Sequence, residues 1–204
     1  MTPHFMVRSL LALFEPGLQQ AAHALGEIVG EAVTMSAPTL RCLPRQRAST
    51  ALAAAGGQRL CGVRQHYQGG FRTEAIVMFA EDKCLDLVRL MVGDAVPMEE
   101  LTAMEREAMG EVGNIVLNSC VGTLANLLGQ DLRGSLPLVQ IATGAQLLAP
   151  AAGAGSAQLV MLLQIDLVLE AHCIVGHIAF MLEMDALAQL QALAGRSAAD
   201  GAAP

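Results

Sequence analysis

The chain predicts a single α/β (α+β) domain, a mostly antiparallel sheet flanked by long helices on a pseudo-two-fold plan. Three observations carry that expectation. The 204 residues are 53% hydrophobic, enough to bury a sizeable core and to exclude wholesale disorder. Apolar runs read in turn as helices and as strands along the chain. Two internal echoes then suggest a duplicated unit. Ile76-Val-Met-Phe-Ala-Glu81, with Leu85 and Gly93 beyond it, matches Ile178-Ala-Phe-Met-Leu-Glu183, with Leu187 and Gly195, at an offset of 102. Gly26-Glu27-Ile28-Val29-Gly30 resembles Gly110-Glu111-Val112-Gly113-Asn114 at an offset of 84. The difference between the two offsets assigns the longer loop to the second half.

Residues 17–37 form an Ala-rich stretch with the look of a helix, ended by Ser36-Ala37-Pro38. From Arg41 to Arg64 the chain turns loop-like and basic, with Arg41, Arg45, Arg47, Arg59 and Arg64 in it. Gly69-Gly70 punctuates before a strand over Thr73–Phe79, and a helix over Asp82–Met91 is closed by Gly93. Thr102-x-x-Glu105 has the form of a capping box, so a long helix is expected from Thr102 to Leu128, stopped by Gly129. Pro137 opens an extended stretch over Leu138–Thr143, and residues 149–157 are a low-complexity loop rich in Ala and Gly. Leu159–Leu169 and His172–Leu182 predict a strand hairpin, and Asp185–Ala194 a final helix before a tail at 196–204. The halves of the one domain fall at about 17–93 and 98–195.

Composition removes several function classes. A formal net charge of −7 with 3% aromatics and no Trp argues against a nucleic-acid binder. Lys83 is the only lysine, so a Schiff-base enzyme or a Walker-type phosphate loop lacks its central residue. Cys42, Cys61, Cys84, Cys120 and Cys173 include no C-x-x-C pair and are expected to be reduced and buried. The N-terminal apolar stretch is broken by Arg8 and makes a poor signal peptide. The most apolar window, Leu159–Leu182, carries Gln164, Asp166, Glu170, His172 and His177, which suits core strands and not a lipid span. A soluble, cytoplasmic protein is the expectation. His172 and His177 are five apart and so point to opposite faces of a strand, a spacing that argues against a shared metal.

The informative feature is the polar stripe on the long helix. Glu107, Glu111, Asn114 and Asn118 stand at i, i+4, i+7 and i+11, so at 100° per residue they share a face about 60° wide. The rest of the helix surface is apolar. A solvated face would also be polar, but such faces usually mix Lys, Arg and Gln with acids, and this one shows only acids and carboxamides. Asn costs roughly 0.6 kcal/mol against Ala in mid-helix, and two stand here. With no His or Cys beside them the pair is a poor nucleophile and base. A carboxamide both donates and accepts, which suits it to orienting a water, while a carboxylate one turn away suits a partner's cation.

Glu107-x3-Glu111-x2-Asn114-x22-Pro137 resembles the signature of the CheC/CheX/FliY phosphatases of bacterial chemotaxis, (Asp or Ser)-x3-Glu-x2-Asn-x22-Pro, and is closest to the CheC branch. Glu107 departs from the usual Asp or Ser, and the 22-residue gap from Ile115 to Leu136 fits without adjustment. The resemblance implies a three-layer, duplicated CheC-like fold and hydrolysis of the aspartyl phosphate of the response regulator CheY. It implies that Asn114 orients the attacking water and that Glu111 pairs with a lysine of the regulator, with Glu107 and Pro137 in support. The chain would hold no cofactor, since the catalytic Mg2+ belongs to the regulator. Members of this kind often carry two sites. Here Glu27 stands in the first half, but Gly30 replaces the Asn and His23 the Asp or Ser, so the first site is expected to be dead. The alternative is a non-catalytic adaptor that binds phosphorylated CheY, the deamidase CheD or a flagellar switch component.

Overall fold

The computed structural model describes residues 3–54, 59–92, 98–149, 159–169, 172–182, 188–190 and 192. Leu10, Leu13, Phe14, Leu18, Ala21, Ala22 and Leu25 are buried at helical spacing and bring one long helix, α1 (Pro3–Val29), onto the core. Pro16 lies inside α1 on its exposed side, where water can serve the carbonyl that the missing N–H leaves unpaired. The helix therefore starts well before residue 17 and stops at Val29. Gly30 at φ +76° donates its N–H to the Gly26 carbonyl and turns the chain away.

The residues expected as helix end and basic loop are β1 (Val33–Pro44), α2 (Arg45–Ala54) and the start of β2 (Leu60–Gly69). Pro38 falls at the register shift between Ser36 and Thr39, on an edge strand, where a proline disturbs no regular ladder. β3 (Thr73–Ala80) and α3 (Glu81–Val92) lie where the sequence put them. α4 (Met98–Leu128) begins before Thr102, so Thr102 and Glu105 sit within the helix and not at its cap. Two short elements were not foreseen: β4 (Leu132–Gly134), ahead of β5 (Leu138–Ala142), and the single turn α5 (Gly144–Leu147), capped by the Thr143 side chain. The hairpin strands β6 (Leu159–Leu169) and β7 (His172–Leu182) have the expected bounds, and residues 188–190 and 192 are helical. Gly93, the Ala/Gly-rich segment from residue 150 to 158, the Glu170-Ala171 turn, Gly195 and the tail lie outside the described residues.

All pairings in the seven-stranded sheet are antiparallel, in the order β1-β6-β7-β3-β2, with β4 and β5 both pairing the far edge of β2. This order is its own mirror about the β3–β7 seam. Each unit runs long helix, edge strand, short helix, two strands, helix, the second with the three-residue β4 added before its edge strand β5. The edge strand of each unit pairs with the other unit's hairpin, β1 on β6 and β5 on β2, so the two units interleave.

The pseudo-two-fold plan stands, but neither offset read from sequence is the one the fold uses. In the β3–β7 pairing Val77 faces Ile178, and both belong to the core beneath the long helices. Ile76 points to the opposite core, so matching it with Ile178 exchanges the two faces of the sheet. An offset one residue away, pairing Ala75, Val77 and Phe79 with Ile178, Phe180 and Leu182, keeps every side chain on its face. For the long helices burial coincides 99 residues apart: Leu10 with Met109, Leu13 with Val112, Leu18 with Leu117, Ala21 with Cys120, Leu25 with Leu124. Gly30 and Gly129, both at positive φ, then close the two helices at matching places.

Three layers result. α1, α3 and α4 cover one face of the sheet, where the rings of Phe14 and Phe180 meet at 5.3 Å between centroids. Each such fully buried side chain contributes about 1.5–3 kcal/mol. α2 and α5 cover part of the other face, where Arg64 pairs with Glu74 and also donates to the Leu147 carbonyl. All five cysteines are free thiols. Cys61, Cys84 and Cys120 are buried as expected, whereas Cys42 and Cys173 are exposed. Among the described residues no helix is long and apolar enough to cross a membrane.

Candidate functional site

α4 rests on β2 at Gly113, where a Cβ would lie 2.3 Å from Val63 Cγ1. The missing side chain lets the helix backbone approach the strand, and the next residue is Asn114. Asn114 is half-buried, while Glu107, Glu111 and Asn118 of the same stripe are exposed. From β2 the buried side chain of Gln65 reaches up and donates its Nε2 hydrogens to Asn114 Oδ1 at 3.1 Å and to the Ser135 carbonyl at 2.9 Å. Asn118 Nδ2, one turn on, donates to the same Asn114 Oδ1 at 2.8 Å. The Tyr67 hydroxyl lies 3.0 Å from both Gln65 Oε1 and Asn118 Oδ1 and, having one proton, donates to one at a time.

Both lone pairs of Asn114 Oδ1 are thus engaged by donors. Its Nδ2 carries no hydrogen bond to any described residue. Burial holds the Tyr67 phenol protonated well above its usual range, so it stays a donor. Burial likewise pushes the Cys120 thiol, on the inner side of α4, up to about 12, which makes it inert packing.

The other sequence-predicted residues arrange themselves around this point. Glu107 and Glu111 carry no ion pair or hydrogen bond among the described residues and project from the Asn114 face. Pro137 sits in the link 135–137 between β4 and β5, half-buried and two residues beyond the carbonyl that Gln65 grips. That link leaves the ladder opposite Gln65 and His66. Ser135 compensates, its N–H donating to the His66 carbonyl at 2.8 Å and its hydroxyl accepting from the His66 N–H at 3.1 Å. Beside Pro137, Leu136 is 89% exposed, and Met104, two turns before Glu111, is 42% exposed, whereas Leu138 pairs with Arg64 and turns to the other face of the sheet. Apolar surface therefore flanks the acids.

Glu27 and Gly30 do not form the counterpart of this site. They lie at the C-terminal end of α1, with Glu27 beside His23 at 3.7 Å and Gly30 beyond the last turn. The positions of α1 that match Glu111 and Asn114 by burial are Ala12 and Glu15, both exposed. β6, in the place of β2, turns Leu163, Ile165 and Leu167 toward α1 where β2 turns Gln65 and Tyr67. The first half lacks the constellation, for reasons other than those the sequence suggested.

Gln65, Tyr67 and Ser135 were missed in the sequence. A signal existed, since Val63, Gln65 and Tyr67 alternate on one face and Tyr67 is the only tyrosine of the chain. No three His, Cys, Asp or Glu side chains come together as a metal site among the described residues.

No family model matches the chain, and no curated protein matches it. Solved structures match over most of its length. FliY from Thermotoga maritima has 18% identity and a TM-score of 0.75 over 96% of this chain and 98% of that one. A chain of the FliG–FliM complex from H. pylori has 9% identity and a TM-score of 0.63, covering 93% and 100%. The CheX–CheY–BeF3–Mg2+ complex from Borrelia burgdorferi gives 19% identity and a TM-score of 0.52, covering 85% and 99%. The fold is the one these chemotaxis and flagellar proteins share.

Proposed function

On a chain with the fold of FliY and CheX, we propose that the Asn114 site hydrolyses the aspartyl phosphate of a CheY-like response regulator. The observation that carries this reading is the tethered carboxamide. With Asn114 Oδ1 held by Gln65 and Asn118, the free Nδ2 hydrogens face outward from a fixed side chain. Phosphoryl transfer asks little covalent chemistry of the protein and much positioning. A water that accepts from Nδ2 has one lone pair occupied and the other directed at the phosphorus. Glu111, exposed one turn away, suits pairing with a lysine of the regulator, and Met104 and Leu136 supply apolar contact around it. The phosphoryl group and its Mg2+ are the regulator's own; this chain contributes the amide, the anchor and the exclusion of bulk water.

The test is decay of acyl-phosphorylated CheY with and without the protein. Asn114→Ala keeps helix propensity and removes the amide, so acceleration should fall on the order of 10²-fold, the scale of one misplaced reacting group. Full activity in Asn114→Ala at unchanged melting temperature refutes the reading. The likeness to a chain of the FliG–FliM complex favours a second reading, an adaptor that binds a phosphorylated regulator, CheD or a switch component without turnover. Binding of phosphorylated CheY with no acceleration by the wild type selects it.

A further inference from the structure

The geometry points to Gln65 and Tyr67 as positioning residues that decide which end of the Asn114 carboxamide faces the partner. Only the rate arm of this inference rests on the phosphatase reading. The logic starts at an atom with no ambiguity, the backbone carbonyl of Ser135, which can only accept. Gln65 must therefore turn its Nε2 toward it, and the same nitrogen then donates to Asn114. Asn114 in turn must present Oδ1 inward, since Asn118 Nδ2 also points there at 2.8 Å. A reversed Asn114 amide would set its own NH2 against two donors.

Tyr67 holds the far end, donating to Gln65 Oε1 or to Asn118 Oδ1. A reversed Gln65 could still donate to the phenol oxygen, but it would set its own oxygen against the Ser135 carbonyl and Asn114 Oδ1. Gln65 is 1% exposed and Tyr67 3%, so water cannot repair a broken link cheaply. The relay spans both repeats: Gln65 and Tyr67 stand on β2, Asn114 and Asn118 on α4. One backbone carbonyl in the link before Pro137 sets the polarity of the whole chain.

Two variants test this by hydrogen exchange and rate. In Gln65→Glu the new carboxylate faces the Ser135 carbonyl and Asn114 Oδ1, and Asn114 is expected to turn its NH2 inward. Its side-chain amide protons, identified in NMR spectra by their loss in Asn114→Ala, should then exchange with water at least about tenfold more slowly, as protection follows burial. kcat on phosphorylated CheY should fall on the order of 10²-fold with KM within about twofold, because docking is left intact. Burial raises the pKa of the new carboxyl. Lowering the pH therefore protonates it, and its O–H can donate to Asn114, so activity relative to wild type at the same pH should climb.

Tyr67→Phe keeps the ring and removes the hydroxyl, leaving Gln65 Oε1 and Asn118 Oδ1 without that donor. It should loosen the orientation, with altered Asn114 amide exchange and about a tenfold loss in kcat. Unchanged exchange and shifts of the Asn114 amide in a folded Gln65→Glu overturn the inference; should that variant not fold, unchanged exchange in Tyr67→Phe does so. If the amide responds while wild type fails to accelerate decay, the positioning role stands and the phosphatase reading falls.

Discussion

Gly113→Ala tests the contact on which the whole site rests. An added Cβ would lie 2.3 Å from Val63 Cγ1 and 2.4 Å from Val63 Cβ, and the latter is fixed to the strand backbone. Carbon atoms pack at about 3.5–4.0 Å, so α4 and β2 must separate by about 1 Å or more. Overpacking of this kind costs about 1–3 kcal/mol. Alanine returns about 1 kcal/mol of helix propensity, leaving a net loss of up to about 2 kcal/mol. In a domain of this size that lowers Tm by at most about 4–8 °C. Gly122→Ala is the control on the same helix, since a Cβ there meets nothing within 4 Å. It gains the propensity alone and should raise Tm by about 2–4 °C. The separation also lengthens the 3.1 Å Gln65–Asn114 bond beyond hydrogen-bonding range, so Gly113→Ala should lose the acceleration of CheY dephosphorylation while Gly122→Ala keeps it. Differential scanning calorimetry and the decay assay read both effects. If Gly113→Ala melts as high as Gly122→Ala, the helix does not lie against β2 as described and the reasoning fails.

Val116 is fully buried between α4 and the sheet, so Val116→Asp should destabilise the fold by several kcal/mol, about the cost of an unpaired buried charge, and a melt within a degree or two of wild type would contradict the orientation of α4. Glu111→Gln keeps shape and removes charge. It should weaken engagement of the phosphorylated regulator and flatten the salt dependence of the rate, and an unchanged rate at low salt with unchanged salt sensitivity removes Glu111 from the site.

Legibility in the sequence followed the locality of each signal. β6 and β7 were readable residue for residue because their apolar runs are long and bounded by turn-forming or low-complexity stretches. The first half of α1 was not, because Pro16 looks like a helix stop until its exposed position is known. β4 and α5, of three and four residues, are too short to carry a period of their own. In the site, Glu111 and Asn114 stood out as a polar stripe on one helix, whereas Pro137 entered only through the resemblance of the motif. Gln65 and Tyr67 come from a strand 49 and 51 residues away from their partners, and nothing local announces that β2 will lie beneath α4. The repeat was visible in kind but misaligned. Leu and Ala match each other at many offsets, whereas burial fixes a sheet to within one residue.

The interleaving of the two units bears on how this chain can diverge. α1 has Ala12 and Glu15 where α4 has Glu111 and Asn114, so the outer surface of the first helix is released from that constellation. β2, although encoded in the same half, has no such freedom, because it carries the tether for the other half's helix. Substitutions should therefore accumulate unevenly within the first unit, freely on the exposed face of α1 and hardly at all at Gln65 and Tyr67. The same arrangement forbids a minimal version of the protein. A fragment beginning near residue 98 would keep Glu111, Asn114 and Pro137 and lose the strand that orients them.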